Sequence, residues 1–449
     1  MTKKQRWAVL GSGYKGIVGA YLLAKQGHRV TIFDKSKKLG GVLNSIQREG
    51  YTLDLGCHLF DNVDRHTTSL VLELLDEEIV PVNVKYGAVM KDFVEGIATP
   101  DLRYLGEEVA ENIVKEMKAG SQKTDITSEN YWEAVKNRHG KTAADVLYRP
   151  IQKAYAIPPE KMSALAMDLV GNFGRIRVVN DEEGRRLKQD PWLDERIAVP
   201  SKNDPVEFYK DQVDIHEYRH FYPKENGLSY FCEKATEKLK AQGVSFLLGH
   251  SIDSVRRNTN GAFDVTVENE TSEFDRILWG LPNEFLGDVF GVDNAMKDFI
   301  HPVPMILYYF FTDCENLSDY SYVQNYNDEH VAFRMSIPTN YGHRNAPDGK
   351  GYLCCEVPTP LDSELWDNSE NLADRLWEEA RAMGLVKDQP YDDYWTIKTP
   401  VSYKVPKKGY EAELERTLKK IPFHQEILGC GDWEYSKKDI TIGLLASLN

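Results

Sequence analysis

RWAVLGSGYKGIVGAYLLAKQGHRVTIFDKS, residues 6–36, decides the fold. A short apolar run, Trp7 to Leu10, leads into Gly11-x-Gly13-x-x-Gly16. An amphipathic stretch to Gln26 follows, then a glycine stop at Gly27 and a second apolar run, Val30 to Phe33, that ends in Asp34. The pattern predicts strand, tight turn, helix, strand. Gly11 permits the turn, Gly13 lets a pyrophosphate approach the backbone, and Gly16 lets the helix pack against the strand. The helix then points its unpaired N–H groups and the positive end of its dipole at the phosphate. Asp34, 21 positions after Gly13, is placed to accept hydrogen bonds from the adenosine ribose hydroxyls. A glycine turn with no ligand would use the same three glycines. The strand–turn–helix–strand–acid order around them is what points to a dinucleotide.

The rest of the composition narrows the class. The chain has 449 residues, 41% hydrophobic and 28% charged, with 55 Lys+Arg against 70 Asp+Glu. That length is enough for two or three cores, because single cores stop growing near ~250–300 residues. Average composition and a mean hydropathy of -0.49 exclude a membrane-spanning, collagenous or largely disordered protein. The longest apolar run, PVPMILYYFF at 302–311, is about half of a bilayer crossing and reads as a buried strand. MTKKQRWAVLGSG lacks the apolar stretch of a secretory signal, so a cytoplasmic location is the default expectation. The net charge of -15 argues against nucleic acid as the main ligand. Any anionic small molecule needs a local arginine cluster. The six cysteines (Cys57, Cys232, Cys314, Cys354, Cys355, Cys430) contain no C-x-x-C, and no metal site is expected. They read as free thiols in a reducing compartment.

After the second strand, KSKKLGGVLNSIQREGYTLDLGCHLF (35–60) brings the pair Gly40-Gly41, a hairpin, and then Asp54-x-Gly56-x-His58-x-Phe60. At the far end, EILGCGDWEYSKKDITIGLLASLN (426–449) gives a strand, Gly429-x-Gly431-Asp432, and a closing helix. Together these segments resemble the flavoprotein superfamily that includes amine oxidases, protoporphyrinogen oxidase and UDP-galactopyranose mutase, closest in layout to the mutase. In that superfamily a double glycine follows the ribose-binding acid, a G-x-H-x-F segment lies against the flavin, and the chain's return brings a second glycine turn and a helix N-terminus beside the cofactor. The resemblance implies FAD, held by Gly11, Gly13, Gly16, Asp34, Gly40, Gly41, Gly56, His58, Gly431 and Asp432. Val42 stands where amine oxidases usually carry an arginine.

The implied fold is α/β: a Rossmann-like FAD-binding domain of parallel sheet and helices (1–85, 221–300 and 416–449), interrupted by a helical insert or substrate cap (86–220) and a substrate-binding α+β sheet domain (301–415). Residues 86–180 read as mainly helical, with Ala144, Leu147 and Ile151 at helical spacing and a stop at Pro158-Pro159. From 181 to about 226 the sequence is polar, proline-rich and aromatic, either a functional lid or a surface insertion. A helix from Tyr230 to Gln242, a strand at VSFLL and the apolar ILWGLP then complete a second pass through the nucleotide domain.

Several side chains are candidates for chemistry. The resemblance places His58 at the flavin face, where it would orient substrate or stabilise charge; a backbone-bonded core histidine is the alternative. Arg175 and Arg177, at i and i+2 of an extended GRIRVV, would share a face and grip one anion, or serve as ordinary salt-bridge partners. Arg334, inside the apolar HVAFRMSIP, needs a carboxylate or a bound phosphate. The resemblance matches Arg175, Arg177 and Arg334 to arginines of mutase-like proteins, and Tyr155 to an aromatic that stacks a uracil base; a tyrosine in a hydrophobic patch would look the same. In the closing motif the mutase's arginine position is Gly431, one diphosphate tyrosine is retained as Tyr435, and the other is Lys438. A lysine neutralises phosphate without copying phenolic geometry.

The function expected is an FAD-dependent oxidoreductase acting on a polar, sugar- or nucleotide-sugar-type small molecule. The alternative is a redox-neutral, UDP-galactopyranose-mutase-like sugar ring isomerase using reduced FAD. A non-catalytic flavin-binding partner and a plain NAD dehydrogenase stand further off, the last disfavoured by Gly40-Gly41 and the closing motif. A homodimer is left open.

Overall fold

The first strand of the quoted segment, β1 (Arg6–Leu10), and the second, β2 (Arg29–Asp34), run parallel and in register from Arg6 opposite Arg29 to Leu10 opposite Phe33. In this computed structural model, which describes residues 4–62, 64–121, 128–169, 172–200, 220–342, 344–433 and 436–448, they sit in a five-stranded parallel sheet. Its order is Ser245–Leu248, β2, β1, Arg276–Trp279, Ile427–Leu428. The connections leave β1 on both sides, so the strand order reverses between β1 and Arg276–Trp279. In doubly wound sheets that crevice, at the carboxyl ends of the strands, is where ligands bind. Near-continuous burial of Trp7–Leu10 and Ile277–Trp279 is what a parallel strand covered on both faces requires.

Helix α1 (Tyr14–Lys25) starts at Gly13 and ends at Gln26, with Gly27 at φ +84° stopping it as the pattern predicted. The hairpin expected after the double glycine forms between Ile46–Arg48 and Tyr51–Leu53. The helix expected after Gly227 runs Ser229–Ala241.

Contacts along the chain group it into two units, 1–81 with 212–299 and 409–449, and 82–211 with 300–408. The regions 86–220 and 301–415, which the sequence reading set apart as insert and sheet domain, thus fall largely in one unit. Its seven-stranded sheet has the order Asp393–Pro406, Ile300–Asp313, Lys350–Pro358, Arg334–Ser336, Tyr322–Asn325, Tyr86–Val89, Phe93–Glu95. The apolar run at 302–311 forms the second strand, paired on both edges and buried. Helical structure over 86–180 is found at Glu107–Gly120, Tyr131–His139 and Lys141–Tyr155. Residues 86–95 depart from that expectation: Tyr86–Val89 is recruited into the sheet by parallel pairing with Tyr322–Asn325, a partner more than two hundred positions away. The stretch read as irregular holds short helices at Asp181–Leu187 and Pro191–Asp194 and a strand at His220–Pro223, while 201–219 lie outside the described residues. Among the described residues, no helix is long and apolar enough to cross a membrane.

Candidate functional site

The glycine turn is built by close approach. At φ +99°, Gly11 passes so near Gly280 that a Cβ would lie 2.8 Å from its carbonyl, and a Cβ on Gly16 would lie 1.9 Å from the Gly11 oxygen. Gly13 differs from both, since a Cβ there would meet nothing within 4 Å. It is the N-cap of α1, with no side-chain cap and no acidic residue in the first turn. An uncapped helix start facing open space is an anion site by geometry and by dipole. Asp34 stands at its edge and accepts from Ser12 N at 2.6 Å, Ser12 Oγ at 2.8 Å and Ser36 N at 2.8 Å. Ser12 also ties in the double glycine, whose Gly40 N donates to Ser12 O at 2.8 Å.

The closing motif reaches the same place. Ile427–Leu428 is the fifth strand of the sheet, so Gly429, at φ +74°, turns at the same end as Gly11. Lys15, inside the first glycine motif, pairs with Asp432 at 3.2 Å and donates to Gly429 O at 3.5 Å. Asn283 donates to Asp432 O at 3.1 Å and to Tyr410 Oη at 2.9 Å. At Gly431, φ +85°, a Cβ would lie 2.8 Å from Leu418 Cδ1, which leaves no room for the mutase-type arginine without repacking. A recess of about 380 Å³ opens beside Lys15, Gly429, Asp432 and Trp433. Tyr435 lies outside the described residues, and Lys438 stands half-buried in the first turn of the closing helix, Lys437–Leu448.

The D-x-G-x-H-x-F segment is anchored by its acid. Asp54 is buried and accepts from Ser45 Oγ at 2.5 Å, from Leu228 N at 3.2 Å and from the Tyr222 hydroxyl. Burial pushes its carboxyl up, and these three donors pull it part of the way back. Gly56 N then donates to Asp54 O at 2.9 Å. His58 is half-buried, and its Nε2–H donates to Leu55 O at 3.1 Å. Phe60 stacks on Phe221 with centroids 5.5 Å apart, and Lys437 of the closing helix lies over its ring at 5.1 Å.

In the second unit the expected substrate residues are engaged elsewhere. Arg177 is buried and pairs with Asp101 at 3.2 Å and with Asp181; Asp101 in turn binds Arg103. Arg175 donates to the Asp194 carbonyl. The two guanidinium groups therefore satisfy different partners instead of gripping one anion. Arg334 finds the carboxylate it needs in Glu356, directly opposite on the neighbouring strand, through bonds of 2.7 and 2.8 Å. Tyr155 has no exposed surface and packs among Tyr131, Phe173 and Tyr403, which is the hydrophobic-patch alternative; no face is open to a base. A recess of about 550 Å³ in this unit is lined instead by Trp132, Tyr148, Arg149, Tyr326 and Asp328 among others.

The sequence reading missed Ser12, Lys15, Asn283 and Lys437. Ser12 and Lys15 were signalled only by lying inside the glycine motif. Asn283 and Lys437 gave no local signal, because their roles come from contacts made across the chain.

Residues 9–77 match the family described as NAD(P)-binding Rossmann-like domain. The 4,4'-diapophytoene desaturase (4,4'-diaponeurosporene-forming) of Staphylococcus aureus (strain COL) is 45% identical over 49 residues, a match spanning 11% of this chain and only 10% of the desaturase. Reduced UDP-galactopyranose mutase superposes with a TM-score of 0.73 at 17% identity, covering 99% of this chain and 93% of its own. A redesigned double mutant of putrescine oxidase superposes at 0.63 and 15% identity, with 99% of each chain covered. The chain therefore shares the fold of reduced UDP-galactopyranose mutase and of putrescine oxidase along nearly its whole length.

Proposed function

We propose that this chain is an FAD-dependent oxidoreductase acting on a polar small molecule of the sugar or nucleotide-sugar type. The observation that carries the cofactor reading is the meeting of two glycine turns at the carboxyl ends of parallel strands, joined by Lys15 to Gly429 O and Asp432. A plain nicotinamide domain has no use for the second turn. The residues fit the group: Gly13 leaves open space at an uncapped helix start, where the α1 N–H groups would hold the pyrophosphate. Asp34 would take the ribose, with Ser12 fixing its carboxylate. Gly40, Gly41, Gly56, Gly431 and Asp432 would border the rest.

When bound, the flavin would supply the hydride acceptor that no side chain offers. The chain's own share is to position and to exclude water. Asp54 locks the loop that leads to His58, and the Leu55 carbonyl fixes the orientation of the imidazole. Lys438 and Tyr435 in the closing segment are the residues proposed to meet the substrate's polar end. Arg177 and Arg334 already hold internal carboxylates, so a diphosphate grip from them would require breaking those pairs, which favours net oxidation over the redox-neutral isomerase.

The test begins with the purified protein's absorption spectrum and release of the chromophore by heat. A colourless protein that takes up no FAD would end the proposal. With a yellow protein, nucleotide sugars are added anaerobically: bleaching without added reductant supports oxidation, whereas isomerisation by prereduced protein with no acceptor replaces it with the mutase chemistry.

A further inference from the structure

Lys437 opens the closing helix, and its ammonium lies 5.1 Å over the ring of Phe60, which ends the Gly56-x-His58-x-Phe60 segment. The two residues are brought together from opposite ends of the chain. Among the described residues no carboxylate or carbonyl oxygen is within bonding distance of its Nζ. Its neighbour Asp61 is turned to His220, with Oδ1 2.7 Å from Nδ1. The side chain is half-buried by area, yet enough protein surrounds it that burial pushes the ammonium below the ordinary lysine value, with Asp61 pulling it back. A lysine so placed gives up hydration without recovering an ion pair, and a cation–π contact offsets only about 0.5–2 kcal/mol of that cost. Such an arrangement is accounted for when an anion arrives from outside the fold.

We propose that Lys437 sets the electron affinity of the bound flavin, its charge favouring the negative charge that builds on the cofactor as electrons enter. The inference rests on the FAD reading above, because Phe60 and His58 belong to the segment that would border the flavin. Charge near the flavin ring is one of the levers by which a protein tunes this cofactor. Asp61 acts as the counterweight, reducing the field that Lys437 exerts. His220 holds Asp61 in place.

The experiment is a midpoint-potential measurement on the full-length holoprotein, by equilibration with reference dyes, for wild type, Lys437→Met, Lys437→Arg and Asp61→Asn. In Lys437→Met the ratio of reduced to oxidised flavin at fixed potential falls about ten- to a hundredfold, ~30–60 mV for a two-electron couple. Lys437→Arg stays within about threefold of wild type, and Asp61→Asn shifts the ratio the other way by about threefold, ~15 mV on the same scale. FAD affinity is read in parallel by fluorescence. A Lys437→Met protein that holds FAD at the wild-type potential overturns the inference and leaves the flavin reading standing. So does one in which only the substrate KM rises, which would assign Lys437 to the substrate. Should Lys437→Met fail to hold FAD, Asp61→Asn decides, and an unchanged potential there overturns the inference. A wild-type protein that takes up no FAD removes both readings at once.

Discussion

The glycine turn at 11–16 and the arginines at 177 and 334 were both read as anion sites, and the fold treats them differently. At the turn, the backbone itself makes the site: Gly11 and Gly16 close the approach of strand and helix, and Gly13 faces open space. At the arginines, the charge that would meet a ligand is already met by Asp101, Asp181 and Glu356. A backbone motif is complete within its own sequence, whereas a charged side chain means whatever faces it in three dimensions.

The arginine side of this contrast breaks with the largest effect. Arg334→Met leaves Glu356, 6% exposed, without the guanidinium opposite it and is expected to cost about 3–5 kcal/mol in urea unfolding, while the double change Arg334→Met with Glu356→Met recovers most of the loss. Arg177→Met removes one guanidinium from Asp101 but leaves Arg103 bonded to it, so a smaller loss of about 1–3 kcal/mol is expected. If the single variants unfold at the wild-type midpoint, the pairs carry no stability and the arginines return as ligands for an anion.

The glycine side breaks next. Gly16→Ala forces a Cβ into the Gly11 carbonyl, so it is expected to cost on the order of 3 kcal/mol with or without cofactor. Gly13→Ala, with φ at −67° and nothing near its Cβ, is expected to leave the apo protein within about 0.5 kcal/mol of wild type. It should nevertheless weaken FAD binding about tenfold or more, ~1.4 kcal/mol. Equal FAD affinity in Gly13→Ala and wild type would mean that the open space belongs to something other than the pyrophosphate.

The same distinction explains what could be read from the sequence. The β1–α1–β2 segment, the hairpin after Gly40-Gly41, the helix after Gly227 and the buried strand at 302–311 are all set by local periodicity and by glycine stops, and each forms near its expected bounds. Tyr86–Val89 pairs with its neighbour Phe93–Glu95 and is joined to the large sheet by Tyr322–Asn325, and no local pattern carries that second pairing. Tyr155 kept two readings open because a stacking aromatic and a core aromatic have the same sequence neighbours; burial among Tyr131, Phe173 and Tyr403 selects the second. Arg334 was the most informative side chain, since its apolar strand demanded a partner and Glu356 supplied one.

A third kind of buried cation sharpens the contrast. Lys153 donates to the carbonyl oxygens of Asn327 at 2.6 Å, Ala332 at 3.2 Å and His330 at 3.5 Å, so dipoles stand where Arg177 has carboxylates. Burial pushes its ammonium down to about 7, with Glu379 and Asp328 resisting. Because the folded value lies below the unfolded one of ~10.4, the unfolded chain holds more protons between them. Stability therefore rises with pH across that window, and the full penalty is present below about pH 7. Subtracting a Lys153→Met series from wild type, in urea titrations at about pH 6, 8 and 10, should expose a climb on the order of 2 kcal/mol, discounted for the partly exposed stem. A flat difference would show that the carbonyls hold the ammonium as well as water does.

The smallest expected effect falls on the joint between the two glycine turns. Lys15 is largely buried and Asp432 half-exposed, so their pair is screened, and Lys15→Met should change unfolding stability by less than about 1 kcal/mol. Its consequence should appear in binding. Without the lysine, the closing turn loses its side-chain tie to the first, and ordering that turn becomes part of the work of cofactor uptake. FAD affinity is expected to fall about threefold, with Asp432→Asn showing a similar loss and the double variant no further one, since both remove the same tie. Additive losses would mean that Lys15 and Asp432 act on the cofactor separately, and that the two backbone motifs are brought together by the parallel sheet alone.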